Sequence, residues 1–362
     1  MTMVGYEGKP VVVILAGGTG TRFWPLSTKR SPKQFLTLLG SKSLLELSYE
    51  RAKGLTSPER ILVFTNRAFV KKVRDILREL PPENVIAEPL KKDTSAPVVL
   101  SALLTGLLFG DEVIVTLTAD HYIEPLERFI QIVKGAIEGA KRTMGLYTFG
   151  IKPTYPATSY GYLELGQRIP TDDGLEHYKV LRFKEKPDRE TAERWFAEGR
   201  YLWNSGMFVW QRQVILEEAT RFLPQHVKAF EGVLTSYGTK KWDRALREAF
   251  EEIPSISIDY GVMEKSERVF CVLSDFKWSD LGGWLSLGDF LPKDEMGNAY
   301  RGVLRAMDGS GNVVFCQDPK EEVYLIGVEE LVLVRCGRRT LVVHKGAVER
   351  VKELVRSLGE DL

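Results

Sequence analysis

A glycine-rich segment close to the N-terminus has the composition of a phosphate-binding loop. The three glycines within residues 17–20 directly follow a short apolar run at residues 11–16, which predicts a buried strand of a parallel sheet. Glycines let the backbone approach an anion without a Cβ clash, and their N–H groups can hold phosphate oxygens. Arg22 and Lys33 follow and add a bidentate guanidinium and a point-like ammonium. The segment therefore predicts a phosphorylated ligand.

Two common nucleotide-binding motifs do not fit this loop. A dinucleotide fingerprint needs glycine at the sixth position from Gly18, where the chain has Phe23. A P-loop needs Gly-Lys followed by Ser or Thr, whereas Lys33 lies in Pro-Lys-Gln. The missing third glycine disfavours a dinucleotide-dependent oxidoreductase. A glycine-rich turn without a ligand is the structural alternative.

A carboxylate follows a second predicted strand. Residues 112–118 are rich in Val, Ile and Thr, and Asp120 comes almost directly after them. Ligands of open α/β sheets bind beyond the carboxyl ends of the strands, so Asp120 is placed to hold Mg²⁺ against phosphates. Asp120 as the N-cap of a following helix explains the position equally well, and the residues alone leave both interpretations open.

Three later segments carry polar groups near glycines or turns. Gly161 interrupts a predicted strand, which indicates close approach by a ligand. A Glu-Lys-Pro triplet at residues 185–187 and Asn204 follow, and residues 278–284 have the sequence Trp-Ser-Asp-Leu-Gly-Gly-Trp. Taken singly, these segments are a surface turn, a bend before a strand and a turn between a strand and a helix.

In this order, the segments resemble the sugar-phosphate nucleotidylyltransferase family over nearly the whole chain. Residues 15–27, Leu-Ala-Gly-Gly-Thr-Gly-Thr-Arg-Phe-Trp-Pro-Leu-Ser, and residues 32–35, Pro-Lys-Gln-Phe, resemble its mannose-1-phosphate guanylyltransferase branch in particular. The resemblance implies Mg²⁺-dependent transfer of GMP from GTP to α-D-mannose 1-phosphate, giving GDP-mannose and pyrophosphate. The sugar phosphate would attack the α-phosphorus in line, without a covalent enzyme intermediate.

The resemblance also assigns roles to the residues at matching positions. It implies catalytic roles for Arg22, Lys33 and Lys186, nucleotide binding by Leu15, Ala16, Gly17, Gly18, Thr19, Gly20, Thr21, Arg22, Lys33 and Asp93, sugar-phosphate binding by Tyr160, Gly161, Glu185, Lys186 and Asn204, and metal binding by Asp120 and Asp280.

The chain departs from the family pattern at residues 92–97. Asp93 stands where the family has Asn, and the Ala-Pro pair is displaced by one position, so the guanine contacts are not defined here. Residues 257–265 also resemble this branch, but we expect Glu264 and Lys265 to lie on the surface of a helix rather than contact substrate.

Other functions remain as alternatives. One is transfer from another nucleoside triphosphate to another hexose 1-phosphate. Another is a non-catalytic subunit that senses nucleotide sugars; such a subunit would be expected to lose Lys33, Lys186 or a metal aspartate, and all of these are present. Bifunctional relatives continue into a cupin-like isomerase domain, and because this sequence ends at Leu362 we expect that activity to be absent.

Strands and helices alternate along the first half. A Ser-Leu-Leu-Glu capping box at residues 43–46 predicts a helix start, since serine and glutamate satisfy each other's backbone N–H groups. Strands are predicted at residues 60–65, 84–87 and 112–118, and helices at residues 68–80, 95–109, 192–197, 212–222 and 241–250. This alternation predicts a Rossmann-like, mostly parallel α/β sheet with helices on both faces.

The sequence changes in character from Gly297 on. Five short strands are predicted at residues 303–307, 312–317, 323–327, 331–336 and 340–344, with a helix at residues 348–358. We predict a catalytic domain at residues 1–290 and a β-rich domain at residues 291–362, which by resemblance is a short left-handed β-helix. Strands this short cannot bury two faces alone, so we expect one face to pack on the catalytic domain or in a homodimer.

Composition limits the remaining possibilities. The 362 residues carry a formal net charge of +1, which argues against nucleic acid or an anionic membrane as the main partner. Three cysteines without a C-x-x-C pair support neither a disulfide framework nor a zinc site, and they fit a reducing cytoplasm.

Overall fold

A computed structural model describes residues 8–18 and 22–359 of the chain. The helices are α1 Leu44–Lys53, α2 Val70–Ile76, α3 Ser95–Leu108, α4 Leu126–Thr143, α5 Arg189–Glu198, α6 Arg212–Phe222, α7 Pro224–Leu234, α8 Trp242–Glu252, α9 Trp284–Gly288 and α10 Val351–Ser357. The strands are β1 Val11–Ala16, β2 Ile61–Asn66, β3 Val85–Glu88, β4 Val113–Thr118, β5 Tyr122–Glu124, β6 Leu146–Ile151, β7 Tyr162–Ile169, β8 His177–Lys184, β9 Tyr201–Gln211, β10 Val269–Ser274, β11 Lys277–Ser279, β12 Ala299–Arg301, β13 Val303–Met307, β14 Val313–Cys316, β15 Glu322–Ile326, β16 Leu331–Cys336 and β17 Arg339–His344.

The described residues form two compact units. Unit 1 contains the described residues up to Gly17 together with Ser48–Ala119 and Ile123–Trp278. Unit 2 contains Gly18–Leu47, Asp120–Tyr122 and the described residues from Ser279 on. The predicted domain boundary between residues 290 and 291 stays a prediction.

Unit 1 is built on one nine-stranded sheet with the strand order β3-β2-β1-β4-β9-β6-β10-β8-β7. β1 pairs in parallel with both β2 and β4, and β8 and β9 run against their neighbours. The parallel register places Leu15 of β1 beside Phe64 of β2 and Thr118 of β4. The carboxyl ends of these strands therefore lie at one edge of the sheet, and the prediction of a Rossmann-like, mostly parallel α/β fold is confirmed.

The core of unit 1 explains why its strands are continuous apolar runs. Residues 11–14 of β1 and residues 61–64 of β2 are completely buried, as expected for strands covered on both faces. α3 is apolar nearly all round, and its residues 95–105 are buried. The predicted helix at residues 68–80 is shorter than expected, because Leu77 leaves the helical conformation and turns, with Leu80, into the core.

Unit 2 contains stacked parallel strands. β14 pairs in parallel with β12 and β16, β13 pairs in parallel with β15, and β17 closes the larger sheet in the antiparallel direction. Buried asparagines link successive turns: Asn312 Nδ2 donates to Asn298 Oδ1, and Asn312 Oδ1 accepts from the Leu331 N–H, each at 2.9 Å. This arrangement agrees with the predicted β-helix-like region, whose handedness stays a prediction.

The stacked strands pack within unit 2 on residues that come from earlier in the chain. The Trp284 ring lies against Phe23, at 5.0 Å between centroids, and against Phe315 of β14, at 5.2 Å. Trp284 Nε1 donates to the Trp24 carbonyl at 3.0 Å, which satisfies the polar atom of a buried indole. The Phe-Trp-Pro-Leu-Ser and Trp-Ser-Asp-Leu-Gly-Gly-Trp segments therefore have a structural role besides any role in binding.

Neither disulfides nor membrane spans shape the described part of the chain. Cys271, Cys316 and Cys336 are all free thiols. Among the described helices, none combines the length and the apolar character needed to cross a membrane.

Candidate functional site

The end of β1 lies against a buried carboxyl group. A Cβ atom on Gly17 would come within 2.7 Å of Glu88 Oε1, so a larger residue at this position would displace the Glu88 carboxyl. Glu88 is the last residue of β3 and is 8% exposed. Burial raises the pKa of the Glu88 carboxyl to about 7. A buried carboxyl without a compensating cation is costly, and this one lies beside the first glycine of the predicted phosphate loop.

The remaining loop residues are only partly described. The Leu15 carbonyl accepts from the Ala119 N–H at 3.0 Å, and the Ala16 carbonyl accepts from Thr65 Oγ1 at 3.1 Å. These bonds fix the end of β1 against its neighbours. Gly18 is described, whereas the nucleotide-binding roles predicted for Thr19, Gly20 and Thr21 fall outside the described residues.

In unit 2, a lysine joins the two predicted metal ligands. Lys33 Nζ lies 3.0 Å from Asp120 Oδ2 and donates a second hydrogen bond to the backbone carbonyl of Asp280. Burial raises the pKa of the Asp120 carboxyl, but the charges of Lys33 and His121 outweigh that effect and hold the pKa below its ordinary value. Lys33, Asp120 and Asp280 come from three distant segments and lie together, while their roles in catalysis and metal binding stay predictions.

Local structure explains how these side chains are held. Lys33 opens a single 3₁₀ turn, Lys33–Phe35, directly after Pro32, and the next residue, Gln34, donates from Nε2 to the Gly18 carbonyl at 3.0 Å. A Cβ atom on Gly282 would lie 3.3 Å from Asp280 Oδ1 and 3.7 Å from Arg22 Nη1. Arg22 therefore belongs to the same group as Lys33, and we call Arg22, Lys33, Asp120 and Asp280 the phosphate cluster.

The phosphate cluster fits a hard divalent cation. The described residues contain no group of three or more His, Cys, Asp or Glu side chains that could hold a metal, so the protein contribution would be the two aspartates. Mg²⁺ commonly takes one or two carboxylates and completes its octahedron with water and substrate phosphates. The Asp120 carboxylate already accepts a hydrogen bond from a cation, the Lys33 ammonium, which also donates to the Asp280 backbone carbonyl.

In unit 1, four of the predicted sugar-phosphate residues lie together. The Asn204 N–H donates to the Gly161 carbonyl at 2.8 Å, and a Cβ atom on Gly161 would clash with Glu185 Oε2. Lys186 Nζ lies 2.9 Å from Glu185 Oε1. Lys186 has a φ of 51° although Pro187 follows it, an unusual conformation that turns the Glu-Lys-Pro triplet. We call Gly161, Glu185, Lys186 and Asn204 the sugar cluster.

The fifth predicted sugar-site residue, Tyr160, belongs to an aromatic group. Its ring lies 5.0 Å from that of Trp203 and 5.2 Å from that of Trp278, both with the edge-to-face geometry that aromatic pairs prefer. These contacts fix the ring of Tyr160, the residue that directly precedes Gly161. A contact of Tyr160 with the sugar stays a prediction.

Two acidic residues of the sugar cluster's surroundings were not predicted. Asp259 Oδ1 accepts from Asn204 Nδ2 at 3.0 Å. Glu264 Oε1 accepts from the Glu185 N–H at 2.7 Å and Glu264 is only partly exposed, so the expected place on a helix surface is wrong for Glu264, whereas Lys265 is exposed. Asp259 opens a π-helical turn, Asp259–Met263, and Glu264 follows it directly, so the turn brings both residues onto the sugar cluster.

Asp93 lies just before α3, and within the described part of unit 1 it forms no hydrogen bond or ion pair with a residue of the sugar cluster. Its side chain is exposed, its φ is 61°, and its Oδ1 accepts from the Thr94 N–H at 2.8 Å. In this conformation Asp93 stabilises the turn that leads into α3. Nucleotide binding by Asp93 stays a prediction.

Comparison with known proteins relates the chain to enzymes of one kind. A sequence model of the family described as "Nucleotidyl transferase" matches residues 11–296. The chain is 37% identical to mannose-1-phosphate guanylyltransferase 2 of Escherichia coli O157:H7 over 356 residues, which cover 96% of this chain and 73% of the relative. It is also 37% identical to the mannose-1-phosphate guanylyltransferase of Klebsiella pneumoniae over 352 residues, with 96% and 74% covered.

A solved structure extends this similarity to three dimensions. The crystal structure described as mannose-1-phosphate geranyltransferase from Thermus thermophilus superposes with a TM-score of 0.83 at 35% sequence identity. The superposition covers 97% of this chain and 99% of that one. The similarity therefore extends over nearly the whole length of both chains.

Proposed function

On the premise that the chain belongs to the nucleotidyl transferase family, we propose that it transfers GMP from GTP to α-D-mannose 1-phosphate, forming GDP-mannose and pyrophosphate. The observation that carries this proposal is the phosphate cluster, where Lys33 lies between Asp120 and Asp280 beside Arg22. Two cations and two carboxylates at the end of a glycine loop suit a reaction in which phosphate charge moves from one oxygen to another.

The reaction is a single in-line displacement. An oxygen of the sugar phosphate attacks the α-phosphorus of GTP, a new P–O bond forms, and the bond from the α-phosphorus to the bridging oxygen of the β-phosphate breaks. Negative charge accumulates on the departing pyrophosphate. Arg22 and Lys33 stabilise that charge, and the Arg22 guanidinium can bind two phosphate oxygens at once. No side chain forms a covalent bond to either substrate.

A divalent metal completes the electrostatics of the phosphate cluster. Asp120 and Asp280 would hold Mg²⁺, which neutralises phosphate charge when bound. Lys33 holds the Asp120 carboxylate and the Asp280 backbone, so these two segments are already joined before substrate binds. Prepositioned groups of this kind reduce the cost of reorganisation during the reaction.

The sugar cluster binds the second substrate. The Lys186 ammonium neutralises the sugar phosphate and orients its attacking oxygen, while the Glu185 carboxylate accepts hydrogen bonds from sugar hydroxyls. Glu264 fixes the Glu185 backbone and so keeps this side chain in place. Gly161 leaves room for the Glu185 carboxylate, because a Cβ atom at this position would displace it.

Glu88 supports a preference for guanine. Guanine presents two adjacent donors, N1–H and the 2-amino group, and a carboxylate can accept from both. Glu88 offers a buried carboxyl at the first glycine of the loop, and burial, not a charged neighbour among the described residues, sets its pKa. Uracil and thymine present one ring N–H between two carbonyl oxygens, which a carboxylate repels.

We further propose that the protein is a cytoplasmic homodimer. The three free thiols fit a reducing compartment. The outward side of β13 and β15 exposes Met307, Tyr324 and Ile326, which are 57%, 63% and 67% exposed. A second copy of this surface would cover these apolar side chains, and Arg305 and Glu322 on the same side could pair between copies.

Product analysis tests the proposed reaction. ³¹P NMR of a mixture of the protein, Mg²⁺, GTP and mannose 1-phosphate should show the two coupled phosphorus signals of a nucleoside diphosphate sugar, together with pyrophosphate. Transfer to another hexose 1-phosphate alone would retain the reaction class but replace the substrate. Absence of any product with all donor and acceptor pairs would favour the non-catalytic sensing subunit.

A further inference from the structure

The sugar cluster is bordered by a carboxyl group to which the proposed reaction gives no role. Asp259 accepts from Asn204 Nδ2 through Oδ1, at 3.0 Å. No described side chain other than Asn204 donates a hydrogen bond to it. Asp259 Oδ2 is therefore an acceptor without a side-chain donor, next to residues proposed to bind a polyhydroxylated substrate.

The hydrogen bonds of Asn204 show why another acceptor is needed. The Asn204 carbonyl oxygen accepts from Thr148 Oγ1 at 2.8 Å and from the Gly206 N–H at 3.1 Å, which uses both of its lone pairs. One of the two Nδ2 hydrogens goes to Asp259. Asn204 can therefore give a ligand one donor and no acceptor, so hydroxyl protons of a sugar need oxygen atoms from other residues.

Asp259 lies close enough to Glu185 and Lys186 to interact with their charges. Burial and the negative charge of Glu185 raise the pKa of the Asp259 carboxyl to about 7, against the opposing effects of Asn204 and Lys186. Two carboxyl groups therefore lie close to one lysine. Hydroxyl groups that donate to both carboxyls would relieve this repulsion, because each hydroxyl supplies a proton without adding charge.

Asp259 is held by the start of α3 rather than by a loose loop. The Ser95 N–H donates to the Ile256 carbonyl at 3.2 Å, and the Ile258 N–H donates to Thr94 Oγ1 at 2.8 Å. A Cβ atom on Gly261 would lie 3.0 Å from Ser95 Oγ, so the turn packs closely on the helix. The carboxyl group is thus positioned before any ligand binds, as a selective binding residue must be.

We propose that Asp259 Oδ2 accepts a hydrogen bond from a sugar hydroxyl, so that Asp259 and Glu185 together select the hexose. The inference rests on the proposed function, since it names a further ligand of the same sugar phosphate. Asp259 also orients Asn204, so an experiment has to separate sugar binding by Asp259 from positioning of Asn204.

The variant Asp259→Asn separates them. Asparagine keeps an oxygen that accepts from Asn204 but replaces Oδ2 by an NH₂ group, so the acceptor for the sugar is lost while Asn204 keeps its partner. We expect KM for mannose 1-phosphate to rise about tenfold to a hundredfold, the scale for a hydrogen bond to a charged group, with KM for GTP unchanged. Asp111→Asn, an exposed carboxylate paired with Arg212 ahead of β4, is the matched control and should behave as wild type.

Deoxy analogues identify the contact. Wild-type protein should discriminate against one of the 2-, 3-, 4- and 6-deoxymannose 1-phosphates more than Asp259→Asn does, because the variant has already lost the partner of that hydroxyl. If the variant keeps wild-type KM for mannose 1-phosphate, Asp259 does not touch the sugar. If its KM rises but all four analogues are discriminated as in wild type, Asp259 only positions Asn204, and the proposal is overturned.

A second variant tests the proposal in case Asp259→Asn does not fold. Asp259→Glu keeps the charge but moves the carboxyl by one methylene, and calorimetric titration with mannose 1-phosphate should show the same loss of affinity. Unchanged affinity in a folded Asp259→Glu protein would contradict the proposal. Failure of the proposed function is recognised separately, because the wild-type protein would then turn over no mannose 1-phosphate. In that case the sugar 1-phosphate that the wild-type protein does accept, with its deoxy analogues, takes the place of mannose 1-phosphate in the same comparison.

Discussion

Lys33 Nζ lies 3.0 Å from Asp120 Oδ2, although 87 residues separate the two in the sequence. The same ammonium donates to the backbone carbonyl of Asp280, which is 247 residues from Lys33. A lysine from the glycine-loop segment thus holds the two aspartates proposed to bind metal. The phosphate cluster is consequently stabilised by the protein's own cation.

The first prediction concerns these aspartates. Asp120→Asn and Asp280→Asn should each lower kcat by about 10² or more, because each removes a charged ligand from the proposed metal site. Steady-state turnover over a range of Mg²⁺ concentrations measures the effect, and circular dichroism should show an unchanged fold. Asp111→Asn is the control for a carboxylate outside the cluster. Wild-type turnover of either cluster variant at limiting Mg²⁺ would exclude that aspartate as a ligand.

The second prediction separates the two substrates. Lys186→Ala should weaken binding of mannose 1-phosphate about tenfold or more and leave GTP affinity nearly intact, because Lys186 belongs to the sugar cluster. Arg22→Ala should have the reverse effect. Calorimetric titration with each substrate alone distinguishes them, with Lys71→Ala, a surface lysine of α2, as the control. Equal losses for both ligands in either variant would contradict the assignment.

The third prediction concerns the base. Glu88→Gln should reduce the preference for GTP over ITP about tenfold, because inosine lacks the 2-amino group that a carboxylate can accept from. The ratio of kcat/KM for the two nucleotides measures this. The wild-type protein and Glu88→Gln should have the same KM for mannose 1-phosphate. An unchanged GTP/ITP ratio would show that Glu88 does not contact the base.

The fourth prediction concerns association. Met307→Glu combined with Ile326→Glu should halve the mass seen by light scattering, because both side chains are exposed on β13 and β15 and their replacement places charge in the proposed contact. Leu107→Glu, on an exposed part of α3, should leave the mass unchanged. A wild-type protein that is already monomeric, or a double variant that stays dimeric, would rule out this surface.

Much of the fold follows from local patterns in the sequence. β1, β2 and β4 are continuous apolar runs because both faces of the sheet are covered, and this pattern is visible without knowledge of the partners. The capping box at residues 43–46 is formed as predicted, because the Ser43 N–H donates to Glu46 Oε2 at 2.7 Å and the Glu46 N–H donates to Ser43 Oγ at 3.3 Å. The meeting of Lys33, Asp120 and Asp280 follows from the family resemblance and not from spacing alone.

The missed residues depend on contacts between distant segments. Asp259 meets Asn204 across 55 residues, and Glu264 meets Glu185 across 79 residues, so neither spacing has a periodic signature. Glu88 does carry a signal, because it ends a strand parallel to β2 at the edge where ligands bind. That signal is weak, since Glu-Pro after a strand is also an ordinary turn.

The packing of the stacked strands was predicted only in outline. One face of the short strands was expected to need cover, and within unit 2 that cover includes Phe23, Trp24 and Trp284. These aromatic residues lie in the segments that carry the family resemblance. Sequence patterns identify such residues as unusual but do not distinguish a packing role from a binding role, which requires the tertiary contacts.

The central claim is tested most directly by measuring kcat/KM for pyrophosphate release with each nucleoside triphosphate and a panel of sugar 1-phosphates. GTP with mannose 1-phosphate should give the highest value, by about tenfold or more, because the proposed contacts of Glu88 with guanine and of Glu185 and Asp259 with the sugar would favour these substrates. Faster turnover of UTP or dTTP with glucose 1-phosphate would contradict the proposed substrates.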